Sequence, residues 1–419
     1  MSPAADVAAD VTTDVATDSV TGSVTGSLAR PTAARSGPAG PDLGRLDEVT
    51  AALAARAPEY DRTGAFPHES LQLVHDAGLL TAGVDPRYGG PGGSFTDLTR
   101  ILLALGRGDP SVALIAGMTI VPHLLHSRSP WPEELYQRVL AESALRPTLL
   151  NHARAEPEMG SSTRGPLPAT TARRTADGWS LTGHKRYVTG SEGLSYFLVW
   201  AATDEPEPRV GNFIVPAGTP GIEILPTWHQ LGMRATGSNE VVFTDVEIPA
   251  DQVHELAAPG AAPAPGVLPG SVTLLLSSAL YLGVARAAQS AVHTYAHERV
   301  PAALGHSLAG TGRYKRGAGE IETLLSSAEQ LIFGVAGQVD RGEPVRGVDA
   351  LASKVIVVRH VTSAVETGLR LLGNPGLARE NPLERHFRDI QSAGVHAPGE
   401  DAVLPLVGAT ALAAEAPDA

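Results

Sequence analysis

Apolar side chains between residues 46 and 139 recur at spacings of three and four: Leu71, Leu73, Val74 and Leu79, then Leu98, Ile101, Leu102 and Leu105. That spacing places them on one face of an α-helix, so a helical domain is predicted here. The run Arg87-Tyr88-Gly89-Gly90-Pro91-Gly92-Gly93-Ser94 separates two of its helices. It is not a phosphate loop, because no Gly-Lys-Ser/Thr follows it. Between about 149 and 253 the pattern shortens to β-rich runs at 179–182, 196–202, 212–215, 222–225 and 240–248, parted by Gly, Pro, Asp and Asn. With no helix between them, such runs predict a small barrel or sandwich. Beyond the Pro-rich stretch 257–269 helical periodicity returns, with Val272, Leu275, Leu276, Ala279, Leu282 and Ala285 on one face. Val355, Val358, Thr362, Val365, Leu369 and Leu372 then mark a bundle seam, and four long helices are expected. The fold class predicted is α+β multidomain. It has an N-terminal helical domain (43–148), a central β-barrel domain (149–256), a linker (257–269) and a C-terminal four-helix bundle (270–415).

Residues 1–42 are mostly Ala, Asp, Val, Thr, Ser, Gly and Pro, with the near-repeat VTGSVTGS and no aromatic before Tyr60. Too little apolar surface is present to offset ordering entropy, and a disordered tail is expected. The net charge of −13 disfavours phosphodiester partners, and no basic stripe offsets it, so nucleic acid is not an expected partner. Zero cysteines exclude disulfides, thiolate catalysis and iron–sulfur ligation. The acidic N-terminus lacks the basic start and apolar stretch of a secretory signal, and a cytoplasmic protein is expected. The most apolar run, 272–284, is shorter than the roughly 20 residues of a membrane span and holds Ser277 and Ser278, which suits a buried helix.

Candidate chemistry lies in the β region and near the C-terminus. Ala155-Glu156-Pro157 with Gly160-Ser161 forms a small-residue loop, and Lys185-Arg186-Tyr187-Val188-Thr189-Gly190 places an aromatic two residues before a hydroxyl. Tyr187 could offer a face and Thr189 a hydrogen bond to a planar heterocycle. Further on stand Leu231-Gly232-Met233-Arg234-Ala235-Thr236-Gly237-Ser238, followed by Phe243-Thr244-Asp245-Val246-Glu247-Ile248-Pro249. Later come Glu298-Arg299, Gly373-Asn374-Pro375-Gly376, Asn381-Pro382-Leu383-Glu384-Arg385 and Arg388-Asp389. In this order, together with the Gly89–Gly93 turn, these segments resemble the acyl-CoA dehydrogenase superfamily. Asn374-Pro375 stands where that family has a double glycine.

The resemblance implies a flavin wedged between the β domain and the bundle of a homotetramer, with FAD as cofactor or reduced FMN or FADH2 as co-substrate. Gly160, Ser161, Tyr187, Thr189, Gly373 and Gly376 would line it, and Arg299 of a neighbouring subunit would meet its diphosphate. Arg234 and His123 are the substrate-contact candidates. An acyl thioester, on coenzyme A or a carrier protein, would be the substrate, and an electron-transfer flavoprotein or flavin reductase the redox partner. The family's two loci for a catalytic glutamate fall here on Ala397 and Thr273, and neither side chain is a general base. His396 stands beside the first locus, where flavin monooxygenases of this fold resemble it in carrying a histidine, and an imidazole titrating near neutrality would suit that chemistry. Glu400 could reach the site only if the loop rearranged, and together with Asp401 it more naturally caps the last helix. His123 and His126 form an H-x-x-H pair without further ligands, so no metal is expected. Three readings follow: oxidation of an acyl thioester, two-component oxygenation with reduced flavin and O2, and a non-catalytic homologue.

Overall fold

A computed structural model describes residues 40–157, 167–261 and 270–414. The tail, apart from its last three residues, and most of the linker lie outside these segments. The first region folds into helices α1 (Leu46–Thr63), α2 (His68–Asp76), α3 (Phe95–Gly108), α4 (Pro110–His126) and α5 (Glu133–Ser143). Gly90 sits in the turn before α3 because the backbone passes so close to Val84 that a Cβ would stand 2.2 Å from its carbonyl oxygen. Ser94 closes the N-terminus of α3 with a capping box to Asp97. Two further N–H groups of that first turn, Phe95 and Thr96, donate to the carboxylate of Asp340, 2.7 and 3.0 Å away.

The β region contains β1 (Leu149–Ala153), β2 (Thr171–Arg174), β3 (Gly178–Val188), β4 (Leu194–Thr203), β5 (Val210–Pro216), β6 (Ile222–Leu225), β7 (Asn239–Pro249) and β8 (Val253–Ala257). They form one sheet in the order β6-β7-β3-β2-β4-β5-β8, with β1 on β4. The sheet curls onto itself. Trp179 of β3 meets Phe213 of β5 edge to face at 5.5 Å, and Phe197 of β4 meets Phe243 of β7 at 5.8 Å, although neither pair sits on neighbouring strands. Strand β3 lies inside the sheet, not at an edge.

The last third holds α6 (Gly270–Glu298), α7 (Gly312–Asp340), α8 (Gly347–Leu372), α9 (Pro382–Val395) and α10 (Glu400–Ala414). Three helices are long and two short, where four long ones were expected, because Asn381-Pro382 and the Ala397-Pro398-Gly399 turn divide the end of the chain. By length and composition α6 could cross a membrane, but 72% of its most apolar window is buried inside the protein, as a core helix would be. The buried face of α8 includes Val355, Val365 and Leu372 of the predicted seam, with Val358 and Leu369 packed at its margin, and extends to Lys354, Val357, Val361, Ala364, Gly368 and Leu371. The apolar core is continuous through all three regions.

Candidate functional site

Strand β3 ends in a strained residue. Tyr187 takes a left-handed φ of 55°, a conformation that costs an aromatic residue of order 1–3 kcal/mol. The residue is 56% exposed, its ring edge-on to Trp228 at 6.4 Å and under the Arg186 guanidinium. Two residues after it, Thr189 is buried and pinned from two sides. Asn151 of β1 donates to its carbonyl at 2.9 Å, and its hydroxyl pairs with Ser238 at 3.0 Å. Ser238 donates on to Thr236, which donates to the Met233 carbonyl. This ladder of hydroxyls fixes Thr189 two residues from the exposed Tyr187, and an aromatic ring beside a pinned polar backbone is the kind of surface a flat, polar heterocycle could meet. The residues present therefore fit a flavin ring.

The loop behind Thr189 is supported by an ion pair. Lys185, fully buried on β3, donates to Glu156 at 2.7 Å and to the Trp200 carbonyl at 2.6 Å. Glu156 also accepts from the backbone N–H groups of Ala169 and Thr170 and from the Thr170 hydroxyl. Burial alone would raise the Glu156 pKa, but the hydrogen bonds from Lys185 and Thr170 and the lysine charge hold it below the ordinary value. Burial pulls Lys185 down to about 8 against the opposing carboxylate, and the pair stays ionised at neutral pH. Gly160 and Ser161, which follow this glutamate, lie outside the described residues.

Helix α9 joins the β region to the bundle. Asp389 accepts from Met233 N–H at 2.7 Å, and burial raises its carboxyl to about 7. Arg388 grips both carboxylate oxygens of Asp61 on α1, at 2.7 and 2.6 Å, and also Glu384. Arg234 belongs to this junction: its Nε donates to the Asp61 carbonyl at 2.6 Å. That bond ties the β region to α1, so Arg234, the candidate substrate contact, is engaged in an interdomain contact.

At the far end of α9, His396 is part-buried, with Nδ1 3.3 Å from the Tyr281 hydroxyl of α6. Burial and, after it, the Lys354 charge lower its pKa to about 4, so the imidazole is neutral at physiological pH, not poised near neutrality. Lys354 of α8 donates to the carbonyls of His396 and Pro398, each at 2.8 Å. Ala397 supplies no carboxylate, and the Thr273 hydroxyl donates to the Gly270 carbonyl in the first turn of α6. Glu400 does not reach the site. It opens α10 and holds Arg359 at the surface, with Nε 3.0 Å from its carboxylate.

His123 is fully buried and pairs with the Tyr136 hydroxyl at 3.1 Å, while His126 stacks on the Tyr136 ring. Burial drives their pKa values to about 3 and about 4, so both are neutral core residues at the seam between α4, α5 and the sheet. His123, the other candidate substrate contact, is packed into this cluster, and no cluster with metal-ligand character occurs among the described residues. Arg299 stands exposed just beyond α6 with no ion pair among the described residues. Gly373 (φ 66°) ends α8 in open space, whereas Gly376 packs internally against Leu372, Leu369 and Leu383.

Comparison with known proteins accounts for all three regions. Family models of the acyl-CoA dehydrogenase N-terminal, middle and C-terminal domains match residues 47–129, 151–246 and 275–399. The putative acyl-CoA dehydrogenase YdbM of Bacillus subtilis is 33% identical over 378 residues, covering 88% of this chain and 95% of its own. The amino sugar nitrososynthase RubN8 of Streptomyces rubradiris is 29% identical over 383 residues, 86% of each chain. Among solved structures, KijD3 in complex with FMN and a dTDP-linked amino-keto sugar superposes with a TM-score of 0.77 at 26% identity, covering 90% of this chain and 94% of that one. The chain belongs to the acyl-CoA dehydrogenase family and is an enzyme of the oxidoreductase class.

Proposed function

We propose that this protein is a flavin-dependent oxygenase, using reduced flavin and O2 on a small organic substrate, in place of the thioester dehydrogenation for which its family is named. What supports the reading is that neither position to which the family resemblance assigns the catalytic glutamate carries a carboxylate. Dehydrogenating an acyl thioester requires a positioned carboxylate to take the α-proton, and its absence typically costs about 10²–10⁴ in rate. By the resemblance those loci fall on Ala397 and Thr273, and the nearby Glu400 pairs with Arg359. What stands at the site is a neutral imidazole bonded to a phenol.

When bound, reduced flavin supplies two electrons to O2, so that one oxygen atom enters the substrate and the other leaves as water. The protein's part is to bind and orient. Tyr187 offers its face to the ring and Thr189, fixed by Asn151 and Ser238, a polar edge. Arg299, reaching from a second subunit of a homotetramer, would meet the flavin phosphate, a charge-assisted contact on a chain of net charge −13. His396 keeps Nε2 outside its bond to Tyr281, available to donate to or accept from a bound substrate. A separate flavin reductase is the expected partner.

The dehydrogenase reading is favoured by the similarity to YdbM, and one experiment separates the two. Oxidised flavin is bound to the protein, and short-, medium- and long-chain acyl-CoA are added without oxygen. The flavin should stay yellow with every thioester, and reduced FMN or FADH2 mixed with the protein in air should reoxidise on a different time course from free flavin. Bleaching by any acyl-CoA would overturn the oxygenase reading.

A further inference from the structure

Helices α6, α8 and α9 each send one group to the turn that follows α9. From α9 comes His396, its N–H closing the helix on the Ser392 carbonyl. From α6 comes Tyr281, 2% exposed, its ring perpendicular to the imidazole at 6.0 Å. From α8 comes Lys354, 4% exposed, in the middle of an otherwise apolar stripe. Its partners are the carbonyls of His396 and Pro398, and among the described residues it has no carboxylate.

An ammonium buried without an anion is costly, and a methionine would suit a bundle seam better on packing grounds alone. What the ammonium does here is satisfy two carbonyls that flank a single residue, and fixing both fixes how the turn faces the bundle. We propose that Lys354 is a positioning residue: by tying the carbonyls on either side of Ala397 it holds the His396 imidazole against Tyr281 as one rigid hydrogen-bonding arm of the reaction site. This rests on the reading that the turn lines the flavin-facing site. The ionisable groups that face the imidazole are Tyr281 and Lys354. Glu400, on the next helix, is occupied by Arg359. Burial lowers Lys354 to about 8, leaving it charged at neutral pH, and that charge helps keep the imidazole unprotonated.

The test is NMR of the flavin-free full-length protein with ¹⁵N-labelled histidine, the His396 signal being assigned through His396→Gln. In the wild type the imidazole stays neutral down to about pH 4. Lys354→Met removes a nearby cation and frees the turn, and both effects favour the protonated ring. The His396 midpoint should rise by roughly one pH unit or more. Lys354→Arg, which keeps charge and donors, should return most of that shift. An unchanged midpoint in folded Lys354→Met overturns the proposal. Should that variant fail to fold, Lys354→Gln is read in the same way, and an unchanged midpoint there is equally fatal. A second arm measures free peroxide released per reduced FMN oxidised in air. Lys354→Met and His396→Gln should each alter it, and the double variant should do no more than His396→Gln alone, whereas additive changes would show Lys354 acting without His396. The midpoint is read without flavin, so it survives a failure of the oxygenase reading.

Discussion

Lys185 in the sheet and Lys354 in the bundle are both sealed from solvent, at 0% and 4% exposure, and burial pulls both down to about 8. They differ in what answers the charge. Lys185 meets Glu156, whose two oxygens also take three hydrogen bonds from Ala169 and Thr170. Lys354 meets only carbonyl dipoles. Removing the first strands a buried carboxylate, while removing the second strands two carbonyls that water can reach once the turn loosens. The β side of the site is thus held by an ionic joint that tolerates little change. The bundle side is held by neutral partners, so a substitution there is read out mainly through the histidine it orients.

The sharpest way to break this contrast is Lys185→Met, which should lower unfolding free energy by about 3–5 kcal/mol in urea denaturation. Adding Glu156→Leu should recover much of the loss, because the stranded charge goes with it. A loss comparable to that of Lys354→Met, for which about 1–3 kcal/mol is expected, would erase the distinction. A smaller effect per group comes from the buried histidines. His123 and His386 have ordinary pKa values of 6.5 that burial lowers to about 3 in the folded protein. Below 6.5 the unfolded chain binds protons that the folded chain refuses. Stability is therefore complete above 6.5 and falls by about 1.4 kcal/mol per pH unit for each histidine as the pH drops toward 3. Thermal melts from pH 7 to 5 check this, and His123→Gln should flatten the slope; pH-independent melts would contradict it. The smallest effect belongs to Glu400→Gln. Its exposed pairing with Arg359 should be dispensable, leaving both the melting midpoint and flavin reoxidation unchanged.

Much of the fold was readable because its three regions have different hydrophobic periods. All five predicted β runs fall within strands, while β1, β2 and β8 escaped: Thr-Ala-Arg-Arg and Val-His-Glu-Leu-Ala carry too many polar residues to announce a strand. The α8 seam was legible only in part: Val355, Val365 and Leu372 are buried, but the buried face also passes through a lysine, an alanine and a glycine, which an apolar pattern does not count. For the same reason Lys354 and its two carbonyl partners were not foreseen. Tyr187 and Thr189 were legible from an aromatic two residues before a hydroxyl, and the family resemblance strengthened them, but the supports of Thr189, Asn151 and Ser238, sit 38 and 49 residues away in the chain, a proximity that only folding creates. The sequence pattern says nothing of where Arg234 and His123, the candidate substrate contacts, sit: one bridges two domains and the other lies in the core.

The carboxylate of Asp340 on the first turn of α3 gives this chain an order of assembly. Helix α3 lacks two of its end partners until a residue 245 positions downstream has left the ribosome, on the order of tens of seconds later at ordinary synthesis rates. A nascent N-terminal region must therefore wait with a frayed helix end, and a fragment that stops before α7 would never acquire that closure.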